Sequence, residues 1–132
     1  MILVDTSVIL EFWKNPTPRV RAIFEREEAL VCGVTRAELC HGARSESDLA
    51  RIEKAVDGFR QIETALPTWS LLGRNLYKLR RGGITVPFQD ALIATVAIEH
   101  RLDLWTYDRH FPVMAEVLAD LRLFDEAKHV SK

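Results

Sequence analysis

Short apolar runs alternate along this chain with segments that have the length and periodicity of helices. The runs cover residues 1–4, 29–34 and 102–106. The run at 29–34 is too short for a helix and shows no polar alternation, which is typical of a strand covered on both faces. Strands separated by helices of about ten to fifteen residues predict an α/β fold, with three layers and a mainly parallel central sheet.

The predicted elements fill most of the chain and leave no long linker. Two weaker strand candidates, at residues 62–66 and at the edge position 121–124, bring the sheet to four or five strands. Helices are predicted at 6–13, from Pro18 to about residue 28, from Thr35, from Ser45, from Pro67 to Gly82, from Pro87, and at 109–118. Neither an internal repeat nor a low-complexity tract is present. We therefore expect residues 1–132 to form one domain.

Composition places the chain among ordinary globular proteins. Hydrophobic residues make up 48% and charged residues 28%, and 18 Lys and Arg face 19 Asp and Glu. Net charge thus gives no evidence for a polyanionic partner, although a local basic patch stays open. The N-terminus has only a four-residue apolar run and no basic leader, so we expect no membrane span and a cytoplasmic protein. Cys32 and Cys40 are interpreted as reduced thiols.

Four carboxylates stand where predicted strands end or predicted helices begin: Asp5, Glu38, Asp90 and Asp108. In a parallel sheet these junctions share one rim, so the four side chains are expected to converge. Converging carboxylates repel each other unless a cation neutralises them. Carboxylate oxygens are hard ligands that suit Mg²⁺, with Mn²⁺ as a substitute. Such a site favours phosphodiester hydrolysis by a metal-activated water.

Each acid also has a purely structural explanation. Asp5 and Asp108 are potential helix caps, Glu38 completes a capping box with Thr35, and Asp90 suits the positive end of a helix dipole. Asp90 argues most strongly for a metal, because it heads a helix that is apolar nearly all round and a buried unpaired charge costs several kcal/mol.

Two further sets of neighbours bear on the metal hypothesis. The hydroxyls of Thr6, Ser7 and Thr106 stand next to the acids in sequence and are candidates to hold ligands in place. Cys40 and His41 beside Glu38 offer softer ligands, but a zinc site would need further Cys or His.

Four blocks of the sequence resemble the PIN-domain ribonucleases, and more narrowly the VapC toxins of bacterial type II toxin–antitoxin modules. These blocks are MILVDTSVILEF, TRAELCHGA, DALIATVA and LWTYDRHF, and together they extend over nearly the whole chain. The resemblance implies a PIN-like α/β/α domain and an endoribonuclease that depends on Mg²⁺ or Mn²⁺. By matching position it implies an acidic site of Asp5, Glu38, Asp90 and Asp108, with Thr6 and Thr106 as supporting hydroxyls. Asp108 is the least fixed of the four, as a direct or a water-mediated ligand.

The same resemblance implies partners. It predicts a homodimer and a cognate VapB-like antitoxin that wraps the toxin; Phe12 and Trp13 on the first helix are candidate contacts, with core packing as the other explanation. RNA binding requires positive charge near the acids. Arg80, Arg81, Arg109 and His110 are the candidates, and helix C-terminal charge or solubility explains them equally well. A catalytically idle PIN-like interaction module is the alternative to a nuclease. The glycine motifs of P-loop and dinucleotide-binding enzymes are absent.

Overall fold

The computed structural model describes the backbone of residues 1–130 and the side chains of residues 1–128. Its strands are β1 (Ile2–Val4), β2 (Ala29–Cys32), β3 (Arg60–Ile62) and β4 (Asp103–Trp105). Its helices are α1 (Thr6–Lys14), α2 (Pro18–Arg26), α3 (Gly33–His41), α4 (Glu46–Asp57), α5 (Leu66–Arg81), α6 (Phe88–Glu99), α7 (His110–Ala115) and α8 (Ala127–Val130).

The four strands form one parallel sheet in the order β3-β2-β1-β4. Successive residues of β1 point to opposite faces and enter two different hydrophobic clusters: Leu3 packs with residues of α5 and α6, whereas Ile2 and Val4 pack with residues of α1 and α2. Helices therefore cover both faces of the sheet. The predicted three-layer α/β fold with a parallel sheet is confirmed.

Helix α6 is buried on every side for most of its length. Every residue from Asp90 to Ala97 is buried, as the apolar sequence predicted. A polar pair joins this helix to α5, because Asn75 Nδ2 donates to Thr95 Oγ1 at 3.0 Å. No described helix is long and apolar enough to cross a membrane.

Several predicted boundaries were wrong. Strand β2 ends at Cys32 and not at residue 34, because α3 already begins at Gly33. Thr35 therefore lies inside α3 and caps nothing, so the proposed capping box with Glu38 does not form. Glycine and a β-branched valine at the start of α3 are poor helix formers, which is why the sequence favoured strand there.

The edge of the sheet also differs from prediction. Strand β3 covers Arg60–Ile62 and not 62–66, since the exposed, polar residues of an edge strand give little apolar signal. The predicted edge strand at 121–124 is a single parallel bridge between Leu104 and Leu123. Helix α7 ends at Ala115 and not at residue 118, because the amide N–H groups of Glu116 and Val117 bond to carbonyls three residues back, at Val113 and Met114, and not four.

Candidate metal centre

Asp5 lies where β1 ends, at the rim that the carboxyl ends of the strands share. Its carboxylate makes no capping bond to α1, so the capping explanation is wrong for this residue. Instead, Asp5 Oδ2 accepts hydrogen bonds from Ser7 Oγ at 2.6 Å and from Thr106 Oγ1 at 2.8 Å. Because Thr106 follows β4, these bonds tie the ends of two neighbouring strands together.

Glu38 reaches the same rim from the second turn of α3. Its Oε1 accepts a hydrogen bond from Thr6 Oγ1 at 2.9 Å. Thr6 is the first residue of α1, so this bond holds two helices from different crossovers against each other. Two predicted supporting hydroxyls, Thr6 and Thr106, therefore each contact one of the predicted acids.

Asp90 and Asp108 meet around a histidine. His110 Nδ1 lies 2.8 Å from Asp90 Oδ2 and 3.2 Å from Asp108 Oδ1. Asp108 Oδ1 also accepts from the His110 amide N–H at 2.9 Å. Arg109 is the N-terminal cap of α7 and its side chain makes no capping bond, so Asp108 is not the cap that its structural explanation expected. One ligand atom from each of these three residues lies within 4.8 Å of the other two, which is the spacing of a metal-ligand group.

The four acids influence each other electrostatically. Burial raises the pKa of Glu38, the hydrogen bond from Thr6 opposes that rise, and the negative charges of Asp5, Asp90 and Asp108 add to it. Burial likewise raises the pKa of Asp90, with added repulsion from Asp108 and Asp5, against the lowering effect of the hydrogen bond with His110. These acids from distant parts of the sequence therefore lie close together. We call the four residues Asp5, Glu38, Asp90 and Asp108 the acid cluster.

Little positive charge offsets the acid cluster. In the described part of the chain, no Lys or Arg forms a salt bridge with any of the four acids; their only ion-pair partner is His110. Two carboxylates, Asp90 and Asp108, and the His110 imidazole form a donor set that fits a divalent cation, and the clustered charge indicates a metal site. The ligand group found among residues 1–128 does not include Cys40 or His41.

The remaining predicted site residues lie farther out. Arg81 and Arg109 are exposed, and Arg80 places its guanidinium over the ring of Tyr77, 5.9 Å from the ring centre. Their contact with RNA stays a prediction. His110 was predicted only as an RNA contact, and its place between two carboxylates was not foreseen. The available signal was its position two residues after Asp108 in the segment D-R-H.

Comparisons with known proteins bear on the family and the fold of the chain. The family model described as "PIN domain" matches residues 2–117. The chain is 28% identical to Ribonuclease VapC11 of Mycobacterium tuberculosis over 125 residues, which are 89% of this chain and 93% of the relative. It is also similar in structure to the DNA-bound VapBC of Salmonella typhimurium, with a TM-score of 0.83, 24% identity and coverage of 96% of this chain and 99% of that chain. VapBC-1 of nontypeable Haemophilus influenzae gives a TM-score of 0.81, 20% identity and the same coverages.

Proposed function

Because the chain belongs to the PIN-domain family, we propose that it is an endoribonuclease and the toxin of a type II toxin–antitoxin module. The similarity to a VapC ribonuclease over nearly its full length supports this activity. The single observation that carries the proposal is the acid cluster: buried or half-buried carboxylates that repel one another, with no Lys or Arg paired to them among the described residues.

We propose Asp5, Glu38, Asp90 and Asp108 as the residues that hold a divalent ion, with Mg²⁺ as the natural ion and Mn²⁺ as a substitute. Oxygen ligands favour these ions over zinc. When bound, the ion supplies Lewis-acid chemistry at the scissile phosphate and activates water for the attack. No side chain of the protein is proposed as a nucleophile.

The chain's own residues orient the acids for this work. Ser7 and Thr106 both donate to Asp5 Oδ2, and in the described part no side chain donates to Oδ1, which leaves that oxygen available to an ion. Thr6 holds Glu38 in the same way. His110 is proposed either to bind the ion directly or to orient Asp90 and Asp108, since its Nδ1 contacts both.

We also propose an antitoxin partner, a homodimer and a cytoplasmic location. Structural relatives are toxin–antitoxin complexes, which supports the antitoxin. On this chain, Leu10 and Trp13 of α1 are 51% and 39% exposed, and Trp13 lines a groove of about 470 Å³. Phe12, one of the predicted contacts, lines that groove and packs against Phe24 at 5.0 Å between ring centres. That residues 1–132 form one domain stays a prediction.

Expression in growing bacteria tests the function. The unmodified chain is expected to arrest growth, and Asp5→Ala is expected to abolish the arrest. Asp120→Ala is the matched control, because Asp120 is exposed and takes no part in the acid cluster. Sequencing RNA ends shortly after induction then identifies the substrate.

Purified protein gives the direct measurement. Labelled RNA should be cut when Mn²⁺ is present and left intact with a chelator. Growth arrest by Asp5→Ala as strong as by the unmodified chain would refute the catalytic assignment. An absence of both Mn²⁺ binding and cleavage would instead support the idle interaction module.

A further inference from the structure

The outward face of α5 is strongly basic although the chain as a whole carries a net charge of −1. Its 16 residues include no Asp or Glu. They include four basic residues, all exposed: Arg74, Lys78, Arg80 and Arg81. Among residues 1–128, none of the four forms a salt bridge. This helix therefore presents unneutralised positive charge to solvent.

Two aromatic rings lie on the same face. Trp69 is 47% exposed and Tyr77 is 56% exposed. They are eight positions apart in the sequence, which is about 12 Å along a helix. Between them, Gly73 has nothing within 4 Å of where a side chain would stand, so the space between the rings is open. Both rings line a shallow depression of about 560 Å³, together with Arg74 and Lys78.

The packing of α5 against α6 shows which end of the basic face lies near the acid cluster. Thr68 near the start of α5 bonds to Glu99 at the end of α6, and Asn75 bonds to Thr95 in the middle. The two helices are therefore antiparallel. It follows that the basic end of α5 lies beside the start of α6, where Asp90 joins the acid cluster.

We propose that the outward face of α5 from Trp69 to Arg81, the α5 ridge, binds single-stranded RNA and guides it to the acid cluster. The inference rests on the proposed nuclease function. Basic side chains along a track, with aromatic rings at intervals, match the needs of a single strand, because phosphates take the cations and bases stack on the rings. Here Tyr77 and Trp69 supply stacking, and Arg74 and Lys78 contact phosphates.

The charge of the α5 ridge favours RNA over a protein occupant. A second copy of this chain, docked by two-fold symmetry, would place the same basic surface against itself. Such like-charge contact is unfavourable, and no acid on α5 relieves it. A polyanionic strand meets no such penalty.

The test measures RNA affinity in the full chain carrying Asp5→Asn, so that the RNA stays intact. The probe is a fluorescently labelled single-stranded RNA, titrated at several salt concentrations. Arg74→Ala with Lys78→Ala is expected to weaken binding and to lower the salt slope by about 0.7 for each phosphate that the variant no longer neutralises. Lys14→Ala with Lys54→Ala removes the same charge from α1 and α4 and should leave that slope unchanged.

Stacking is tested separately with Tyr77. Tyr77→Ala is expected to lower RNA affinity about tenfold, the loss typical of one stacked base. Tyr77→Phe keeps the ring and should retain affinity. If the surface acted through charge alone, Tyr77→Ala and Tyr77→Phe would bind RNA equally well. Trp69→Ala against Trp69→Phe repeats the comparison at the far end.

The outcomes separate this inference from the nuclease function. Unchanged RNA affinity in every ridge variant would overturn the α5 ridge, while Mn²⁺-dependent cleavage by the unmodified chain would still support the nuclease. Loss of RNA affinity without any cleavage by the unmodified chain would keep the ridge and refute the nuclease. If the variants instead weaken self-association or antitoxin binding with RNA affinity intact, the α5 ridge is a protein interface and the inference is wrong.

Discussion

Thr106 illustrates how one hydroxyl organises several parts of the acid cluster. Its Oγ1 donates to Asp5 Oδ2 at 2.8 Å and accepts from the Asp108 amide N–H at 2.9 Å. One small side chain thus fixes an acid at the end of β1 and the backbone that carries a second acid. Such outer contacts decide how well a ligand set is preorganised for an ion.

Thr106→Val should therefore weaken Mn²⁺ binding while it preserves side-chain shape. Loss of an orienting hydrogen bond typically lowers metal affinity by about tenfold or more. Thr106→Ser keeps the hydroxyl and is expected to bind Mn²⁺ nearly as well as the unmodified chain. Isothermal titration with Mn²⁺ measures both, and equal affinities for the valine and serine variants would contradict the role assigned to Thr106.

The raised pKa values of Glu38 and Asp90 predict how Mn²⁺ binding depends on pH. Without an ion, both carboxyls keep their proton to a higher pH than ordinary Glu and Asp, because burial and neighbouring acids oppose ionisation. An ion binds only the ionised carboxylates, so the affinity for Mn²⁺ should fall as pH is lowered. This fall should begin at a higher pH than the usual carboxyl pKa of about 4. Binding in mildly acidic buffer should release protons. Glu38→Gln should release fewer, and an unchanged proton count would refute the assignment of Glu38 as a ligand.

At the scale of elements, the end of α5 is defined by a complete C-terminal motif. The Gly83 amide donates to the Arg80 carbonyl and the Ile84 amide donates to the Leu79 carbonyl, which is the bonding pattern of a Schellman motif. Gly83 has φ of 74°, a left-handed conformation that glycine adopts without steric cost. The motif turns the chain toward α6 and Asp90.

Two glycines of this segment should respond in opposite directions. Gly83→Ala is expected to lower the free energy of unfolding by about 1 kcal/mol, because alanine is strained at positive φ. Gly73→Ala lies within the same helix, where a side chain meets nothing within 4 Å, and should raise it by about 0.5–1 kcal/mol. Urea denaturation measures both changes. A loss of stability in Gly73→Ala would show that close packing, and not backbone conformation, governs this helix.

At the scale of the whole molecule, an ion at the acid cluster would join segments that are far apart in sequence. The acids come from the end of β1, from α3, from the first turn of α6 and from the loop after β4. Unfolding separates them, so an ion binds only the folded state and stabilises it. At a free ion concentration 100 times the dissociation constant, the expected stabilisation is about 2.7 kcal/mol.

Thermal melting tests this linkage. Mn²⁺ should raise the melting temperature of the unmodified chain and have little effect on Asp90→Asn.

Without an ion, a raised folded-state pKa means that the stability contributed by Asp90 is present at acid pH and is lost as pH rises through that pKa. The metal-free Asp90→Asn protein should therefore melt no lower than the unmodified chain at neutral pH. An equal Mn²⁺ shift in both proteins would exclude Asp90 as a ligand.

The sequence alone determined the fold class and the order of most elements, and it singled out the four acids that are proposed as ligands. These features depend on local patterning: apolar runs mark buried strands, Gly82 and Gly83 mark the end of α5, and acids at strand–helix junctions must share one rim of a parallel sheet. The boundaries of β2 and β3 could not be read in the same way, because tertiary contacts overrode local propensity there. Helix α3 begins where a longer β2 was predicted, and β3 forms by pairing with β2.

Only the tertiary structure decided which side chains meet. It showed that Asp5 makes no capping bond and that Glu38 is not part of a capping box. It placed His110 between Asp90 and Asp108. It also brought the hydroxyls of Ser7 and Thr106 to the same carboxylate oxygen of Asp5. Ser7 and Thr106 are 99 residues apart in the sequence. Contacts of this kind depend on the direction in which each side chain leaves its element and on how the elements pack, which local sequence does not encode.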